Sequence, residues 1–218
     1  MKGRLDSHIF WGSHSPLSSF SAVALIILAS SRLAFALVSA GAIIWVYGLS
    51  ALIFSGARRI MPGRGKMVIL IFLSAFLCGI FMMLLGVLNP LIVLGTGFFL
   101  FLVPLCLIGS GLFEASEHAE TVEFFSRAFL EGCVLALVII TFALIREPLG
   151  MGTLSFPGGP QGFFEIFGDP DTDAFVPARI LSASAGGLLL LGYLTALFRY
   201  LRERSGGAPR DDFQEEGQ

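Results

Sequence analysis

Cys106 occupies the position in this chain best suited to chemistry. It lies in the stretch GTGFFLFLVPLCLIGSGLFEAS, residues 95–116, behind Pro104 and ahead of Gly109, Ser110, Gly111 and Glu114. A thiolate within an apolar helix is costly unless a soft metal or a partner charge stabilises it. Cys106 is therefore either a neutral packing thiol or a metal ligand. One thiol does not hold an iron–sulfur cluster, which takes about four thiolates. Cys78 and Cys133 also lie in apolar runs, without CxxC spacing, and are candidate further ligands or packing residues. Glu131, close to Arg127, is the carboxylate placed to act within a membrane segment. It is read as an interfacial ion pair or as part of an ion path. Arg146 and Glu147 read as an interfacial pair that fixes the loop after them. Glu114, Glu117, Glu120 and Glu123 recur every third residue, which reads as a solvated helix end. His8, His14 and His118 fall at the edges of apolar runs. No P-loop, GxGxxG or HExxH motif is present, so no soluble catalytic signature competes with these residues.

The elements that must position these side chains are membrane helices. Of 218 residues, 55% are hydrophobic and 14% charged, against roughly a quarter charged in soluble domains, and mean hydropathy is +0.83. The apolar runs are long and do not alternate, which argues for helices and against a barrel. A net charge of −2 offers no basic surface for nucleic acid. The N-terminus reads as too polar for a cleavable signal peptide.

Six helices are expected, at about residues 17–31, 33–55, 67–88, 91–113, 129–145 and 180–200, in one membrane domain over residues 1–204. A disordered cytoplasmic tail is expected at 205–218. Pro148 is expected to close helix five. The basic loop with Arg58, Arg59, Arg64 and Lys66, and the arginines after helix six, place both termini in the cytoplasm. The Gly/Pro/Phe-rich segment over 148–177 then lies outside, and its aromatics suit a membrane surface or a partner. Helix one is short, and helix four is interrupted around Pro104. Ser15-Pro16-Leu17 and Asn89-Pro90-Leu91 precede them in matching fashion. Three plus three helices with paired short or broken segments suggest two inverted repeats.

The run ALIREPLGMGTLSF, residues 143–156, resembles the signature that ends the fifth helix in Rnf/Nqr membrane subunits. With the basic FRYLRER at the end of helix six, the chain resembles most closely the E subunit of the Rnf electron-transport complex, equivalent to the D subunit of the sodium-pumping NADH:quinone reductase. The resemblance spans about residues 95–204 and is looser over 13–88. It implies an all-α integral membrane fold of six transmembrane helices, in two inverted three-helix repeats with broken helices one and four. It also implies a sister membrane subunit of the Rnf A type, flavin-carrying subunits and ferredoxin- or NADH-side subunits, in a bacterial inner membrane. The implied function is a non-autonomous subunit of an ion-translocating oxidoreductase, relaying electrons at the interface with the sister subunit through a shared 2Fe-2S or iron centre.

Counting back from Arg146, Cys106 falls on the family's helix-four cysteine ligand, with Leu105 where the family carries Asn. The helix-one cysteine falls on Ala24, followed by Leu25. The implied centre thus lacks one of its expected thiolates. The alternative is a redox-inactive scaffold subunit, or a small-molecule transporter on the same inverted-repeat fold.

Overall fold

A computed structural model describes residues 20–57, 66–110, 121–159, 162–167 and 179–204. The helices are α1 (Phe20–Ala29), α2 (Leu33–Ala57), α3 (Lys66–Leu88), α4 (Pro90–Leu100), α5 (Leu102–Gly109), α6 (Thr121–Met151) and α7 (Ser184–Arg204). Four stretches are long and apolar enough to cross a membrane: Leu33–Gly56, Met67–Leu88, Pro90–Gly109 and Phe124–Met151. Phe20–Ala29 and Ser184–Leu197 are apolar but shorter. The chain is thus a mostly helical, multi-pass membrane protein. Leu94, Phe98, Met83 and Val87 point outward with more than three-quarters of their surface exposed, as lipid-facing side chains do. The core lies where α2 meets α6 and α1 meets α5, around Leu25, Ile43, Val46, Leu107, Leu135 and Ile139.

The interruption of helix four follows from Pro104. Proline has no N–H and its ring clashes with the carbonyl four residues back, which is that of Leu100. The helix splits at Phe101, between α4 and α5. A carbonyl released inside a membrane protein needs another donor. The Cys78 thiol of α3 supplies it, donating to the Leu100 carbonyl at 3.3 Å. Cys78 is therefore occupied as a structural donor. The start of α4 is conventional. Asn89 is its N-cap, accepting from the Ile92 N–H at 3.4 Å, and Pro90 takes the first turn.

α6 is longer than expected at both ends. It begins at Thr121, not near 129, and runs through Pro148 to Met151. The polar residues before Phe129 contain no glycine or proline, so nothing stops the helix there. Pro148 sits in the final turns, where it removes one hydrogen bond, and the Gly152 N–H closes the end on the Pro148 carbonyl at 3.0 Å. Glu114, Glu117, Glu120, His8, His14, His118 and the 205–218 tail lie outside the described residues.

One element departs from the all-helical expectation. Within the Gly/Pro/Phe segment, β1 (Leu154–Pro157) and β2 (Phe163–Phe167) form an antiparallel pair, with Ser155 opposite Glu165 and Phe156 opposite Phe164. The hairpin packs on this chain's own helices. Phe163 lies edge-on to Phe35 of α2, beneath the Arg32 guanidinium at 4.2 Å, and Arg32 pairs with Glu165 at 3.0 Å. Asn89 donates to the Gly159 carbonyl at 3.4 Å. Gly162 has φ +91°, and an added Cβ would stand 3.1 Å from the Ile92 nitrogen, so the hairpin seats its backbone directly on the start of α4.

A 3-10 turn, Arg179–Ser182, precedes α7. Helix six therefore begins at Ser184 and not at 180. Gly186 lets the first turn of α7 fold back onto this segment, since a Cβ there would overlap the Ile180 carbonyl and stand 2.7 Å from the Leu181 Cα. Backbone atoms cannot step aside as a flexible side chain can. Gly186→Ala is accordingly expected to destabilise the protein by about 3 kcal/mol, as overpacking does. The readout is a lower thermal midpoint of the detergent-solubilised protein, with Gly192→Ala, in open space, near wild type.

Candidate functional site

Cys106 lies two residues after Pro104 on α5, with 1% of its surface exposed. The break in helix four thus delivers the thiol to the inside of the bundle. The Ser21 side chain of α1 is in hydrogen-bond reach of the Cys106 sulfur, so the short first helix and the broken fourth meet at this residue. Tyr47 of α2 is fully buried and interacts electrostatically with both Cys106 and Glu131. Ala24, one turn along α1 from Ser21, brings only a methyl group where the resemblance placed a ligand.

The other two thiols are not gathered here as ligands. Cys78 donates to the Leu100 carbonyl, and Cys133 on α6 is half-buried and free. Among the described residues, no three His, Cys, Asp or Glu side chains stand close enough to hold a metal ion. The residues of this chain alone therefore do not fit a four-thiolate centre. They offer two buried thiols, Cys106 and Cys78, of which Cys78 donates to the Leu100 carbonyl.

Glu131 is not the simple interfacial pair that was one of its two readings. It is buried at 8% exposure. Arg127, one turn earlier on α6, acts on it electrostatically. No contact between them reaches ion-pair distance; among the described residues the one such contact is Arg32 with Glu165. Among the described residues, the buried Glu131 Oε2, Tyr47 Oη and Ser50 Oγ have no hydrogen-bond partner. Sequence reading raised Glu131 but missed Tyr47 and Ser50. Their only signal was a phenol and a hydroxyl one turn apart in a long apolar helix.

Arg146 and Glu147 do more than the expected fixing of a loop. They are adjacent, 2% and 1% exposed, and each binds a different part of the chain. Arg146 NH1 donates to the Ile27 carbonyl at 2.6 Å and to Ser30 Oγ at 2.9 Å, at the end of α1. Its Nε and NH2 donate to the carbonyls of Leu181, Ser182 and Ala183 at 2.8, 3.2 and 3.0 Å. Glu147 Oε2 accepts the Leu33 N–H at 2.6 Å, at the start of α2, and Oε1 accepts the Thr153 hydroxyl at 3.5 Å. Ser155 of β1 accepts the next free amide, that of Ala34, at 3.3 Å.

A helix end leaves carbonyls bare and a helix start leaves amides bare. Where α1 stops and α2 begins, both kinds lie in the protein interior. The guanidinium satisfies the first kind and the carboxylate the second, each with the charge that suits the helix dipole. Gly187 makes room, since a Cβ there would press on the Arg146 guanidinium at 3.0 Å. This pair is a brace. It fixes the break between α1 and α2, and with it the end of the bundle that carries the hairpin.

A family model described as Rnf-Nqr subunit, membrane protein, matches residues 8–195. No curated protein matches the chain at a significant level.

Proposed function

Because the chain belongs to the Rnf-Nqr membrane subunit family, we propose that it is the E-type membrane subunit of an Rnf-type ion-translocating electron-transport complex. The family match over residues 8–195 supports the family, and the E type rests on the resemblance of the REPLGMGTL run and the basic FRYLRER end of the last helix. Members of this family work as subunits, so the chain acts with partners and has no turnover alone. The partners in this reading are a sister membrane subunit of the Rnf A type and flavin-carrying and ferredoxin- or NADH-side subunits. The chain resides in a bacterial inner membrane with both termini in the cytoplasm, which the basic residues of the short loops support. Its six helices form two inverted repeats of three. The two shorter apolar helices complete the four long ones, and the short α1 meeting the broken α4–α5 at Cys106 is consistent with paired discontinuous segments.

Electron relay at the interface with the sister subunit would draw the Cys106 thiolate from this chain. Ala24 favours a second reading, in which this chain is a scaffold whose redox role has been lost. Iron content and the EPR spectrum of the affinity-purified complex separate the two. For the relay, Cys106→Ala is expected to lower bound iron and its signal while the complex still assembles. Unchanged iron in an assembled Cys106→Ala complex removes Cys106 as a ligand and leaves the scaffold. Purification that yields neither a flavoprotein nor a second membrane subunit overturns the assignment to a complex.

A further inference from the structure

The hairpin after α6 carries its charge on the opposite face from a hairpin in water. Side chains alternate across a strand. Ser155, Phe163 and Glu165 therefore share one face, and Phe156, Phe164 and Ile166 share the other, in keeping with the register of Ser155 opposite Glu165 and Phe156 opposite Phe164. The first face is turned to the protein. Ser155 is fully buried and accepts the Ala34 amide, Glu165 pairs with Arg32, and Phe163 meets Phe35. The second face is apolar. On it the Phe156 and Phe164 rings stack at 6.1 Å, while Phe164 and Ile166 are 49% and 51% exposed. A half-solvated antiparallel pair sets its apolar residues on the core and its polar ones in water. Here Glu165, the one charged residue of the two strands, points inward and the apolar side chains point out.

The level of the hairpin along the bundle says what meets that face. The span Pro90–Gly109 has 20 residues. At a rise of about 1.5 Å per residue it covers about 30 Å, the thickness of a bilayer's hydrocarbon layer. Pro90 thus stands at one edge of that layer. The hairpin is fixed to the same edge. Asn89 donates to the Gly159 carbonyl at 3.4 Å, and Gly162 lies so close to Ile92 that an added Cβ would stand 3.1 Å from its nitrogen. Arg32, which holds Glu165, immediately precedes the span Leu33–Gly56. Leu88 and Leu91, on either side of this corner, are exposed apolar side chains, as is Leu94 one turn further in. The lipid-facing surface of α3 and α4 therefore runs up to the hairpin. Depth is bounded too. Among the described residues the sheet has two strands, so its outer edges present backbone groups that no strand pairs. Such edges do not occur in hydrocarbon, whereas water and headgroups satisfy them at the interface.

We propose that Phe164 and Ile166 are seated in phospholipid, at the boundary between headgroups and acyl chains in the leaflet at this end of the bundle. The hairpin is then an interfacial anchor. Its inner face is locked to the helices by Arg32 and Glu165, a pairing that also turns the carboxylate away from lipid. The inference rests on the placement of the strands and does not depend on the electron-transport reading.

The test is the fluorescence of Phe164→Trp and Ile166→Trp in the affinity-purified full-length protein, with any subunit that accompanies it, in phosphatidylcholine nanodiscs. Both positions are half exposed, so an indole has room. The signal is the difference from wild type, whose Trp11 and Trp45 set the background. The added emission is expected to be quenched more by lipids brominated near the headgroup end of the acyl chain than by lipids brominated near the chain terminus, and little by aqueous iodide. Phe98→Trp, outward-facing and about two turns into α4, is expected to show the reverse order between the two lipids. Quenching of the hairpin tryptophan by iodide and not by brominated lipid places the face in water and overturns the proposal. Protection from both quenchers places it against a protein partner and overturns it equally. Either variant that folds is sufficient for the reading.

Discussion

Replacing Arg146 with leucine is expected to abolish accumulation of the folded protein. The side chain uses its planar fork on five acceptors belonging to two separate segments, the end of α1 and the turn before α7. Leucine has similar apolar bulk and no donor, so the Leu181 and Ser182 carbonyls and the Ser30 hydroxyl lose this donor, while the Ile27 carbonyl keeps the Ser30 hydroxyl and the Ala183 carbonyl keeps the Gly187 N–H. Each buried acceptor left bare costs about 1–3 kcal/mol. The losses are not fully additive, because removing the guanidinium also removes a buried charge that was costly to desolvate. Even at about 4–5 kcal/mol net, the change takes most of a stability that typically totals about 5–15 kcal/mol.

Arg146→Lys separates charge from geometry. Lysine keeps the positive charge at the carbonyl end of α1 but has three donors on one nitrogen, which cannot reach both segments as a fork does. An intermediate thermal midpoint is expected, measured by size-exclusion of the detergent-solubilised protein after heating. A lysine variant equal to wild type would show that charge at the helix end suffices and that bridging the two segments contributes little.

What sequence reading could reach is clearest at Pro104. The proline is visible, and its chemistry predicts a freed carbonyl four residues earlier. That the carbonyl belongs to a turn facing α3, and that Cys78 answers it, depends on packing between distant helices. Cys106 was identified as the thiol of interest, and it lies buried against α1, as a packing thiol and a ligand both would. The REPLGMGTL run was legible as a signature but not as a brace, because its partners lie more than 100 residues away at Ile27, Ser30 and Leu33. Tyr47 was invisible for a related reason. A phenol in a long apolar helix gains meaning only when α6 brings Gly132 against it. The boundaries of α6 were misplaced because polarity was read as a loop before 129 and Pro148 as a stop. A helix that leaves the apolar layer can be polar, and a proline near its last turn costs only one bond.

Glu147 carries the second large effect, and its two substitutions divide that effect into parts. Glu147→Ala bares the Leu33 N–H at the first turn of α2 and frees the Thr153 hydroxyl. Hydrogen bonds to a charged partner contribute about 1.5–3 kcal/mol. A negative charge at a partly buried helix N-terminus adds up to about 2 kcal/mol. A loss of about 3 kcal/mol is expected for alanine, part of the sum being offset because the carboxylate no longer needs desolvation. Glu147→Gln keeps an oxygen able to accept from Leu33 while discarding the charge, so only the dipole part and the charge assistance are lost. About 1–2 kcal/mol is expected there.

The locus of damage matters as much as its size. Both variants loosen the junction at residues 30–33, so limited proteolysis should cut there before it cuts within α3 or α6. The hairpin should loosen with it, because Ser155 holds the adjacent Ala34 amide and Arg32 holds Glu165. Equal thermal midpoints for the glutamine and alanine variants would assign the whole contribution to charge. A glutamine variant matching wild type would assign it to the Leu33 hydrogen bond alone. Either result would say which property of Glu147 fixes the break between the first two helices, and so what holds α1 where Ser21 meets Cys106.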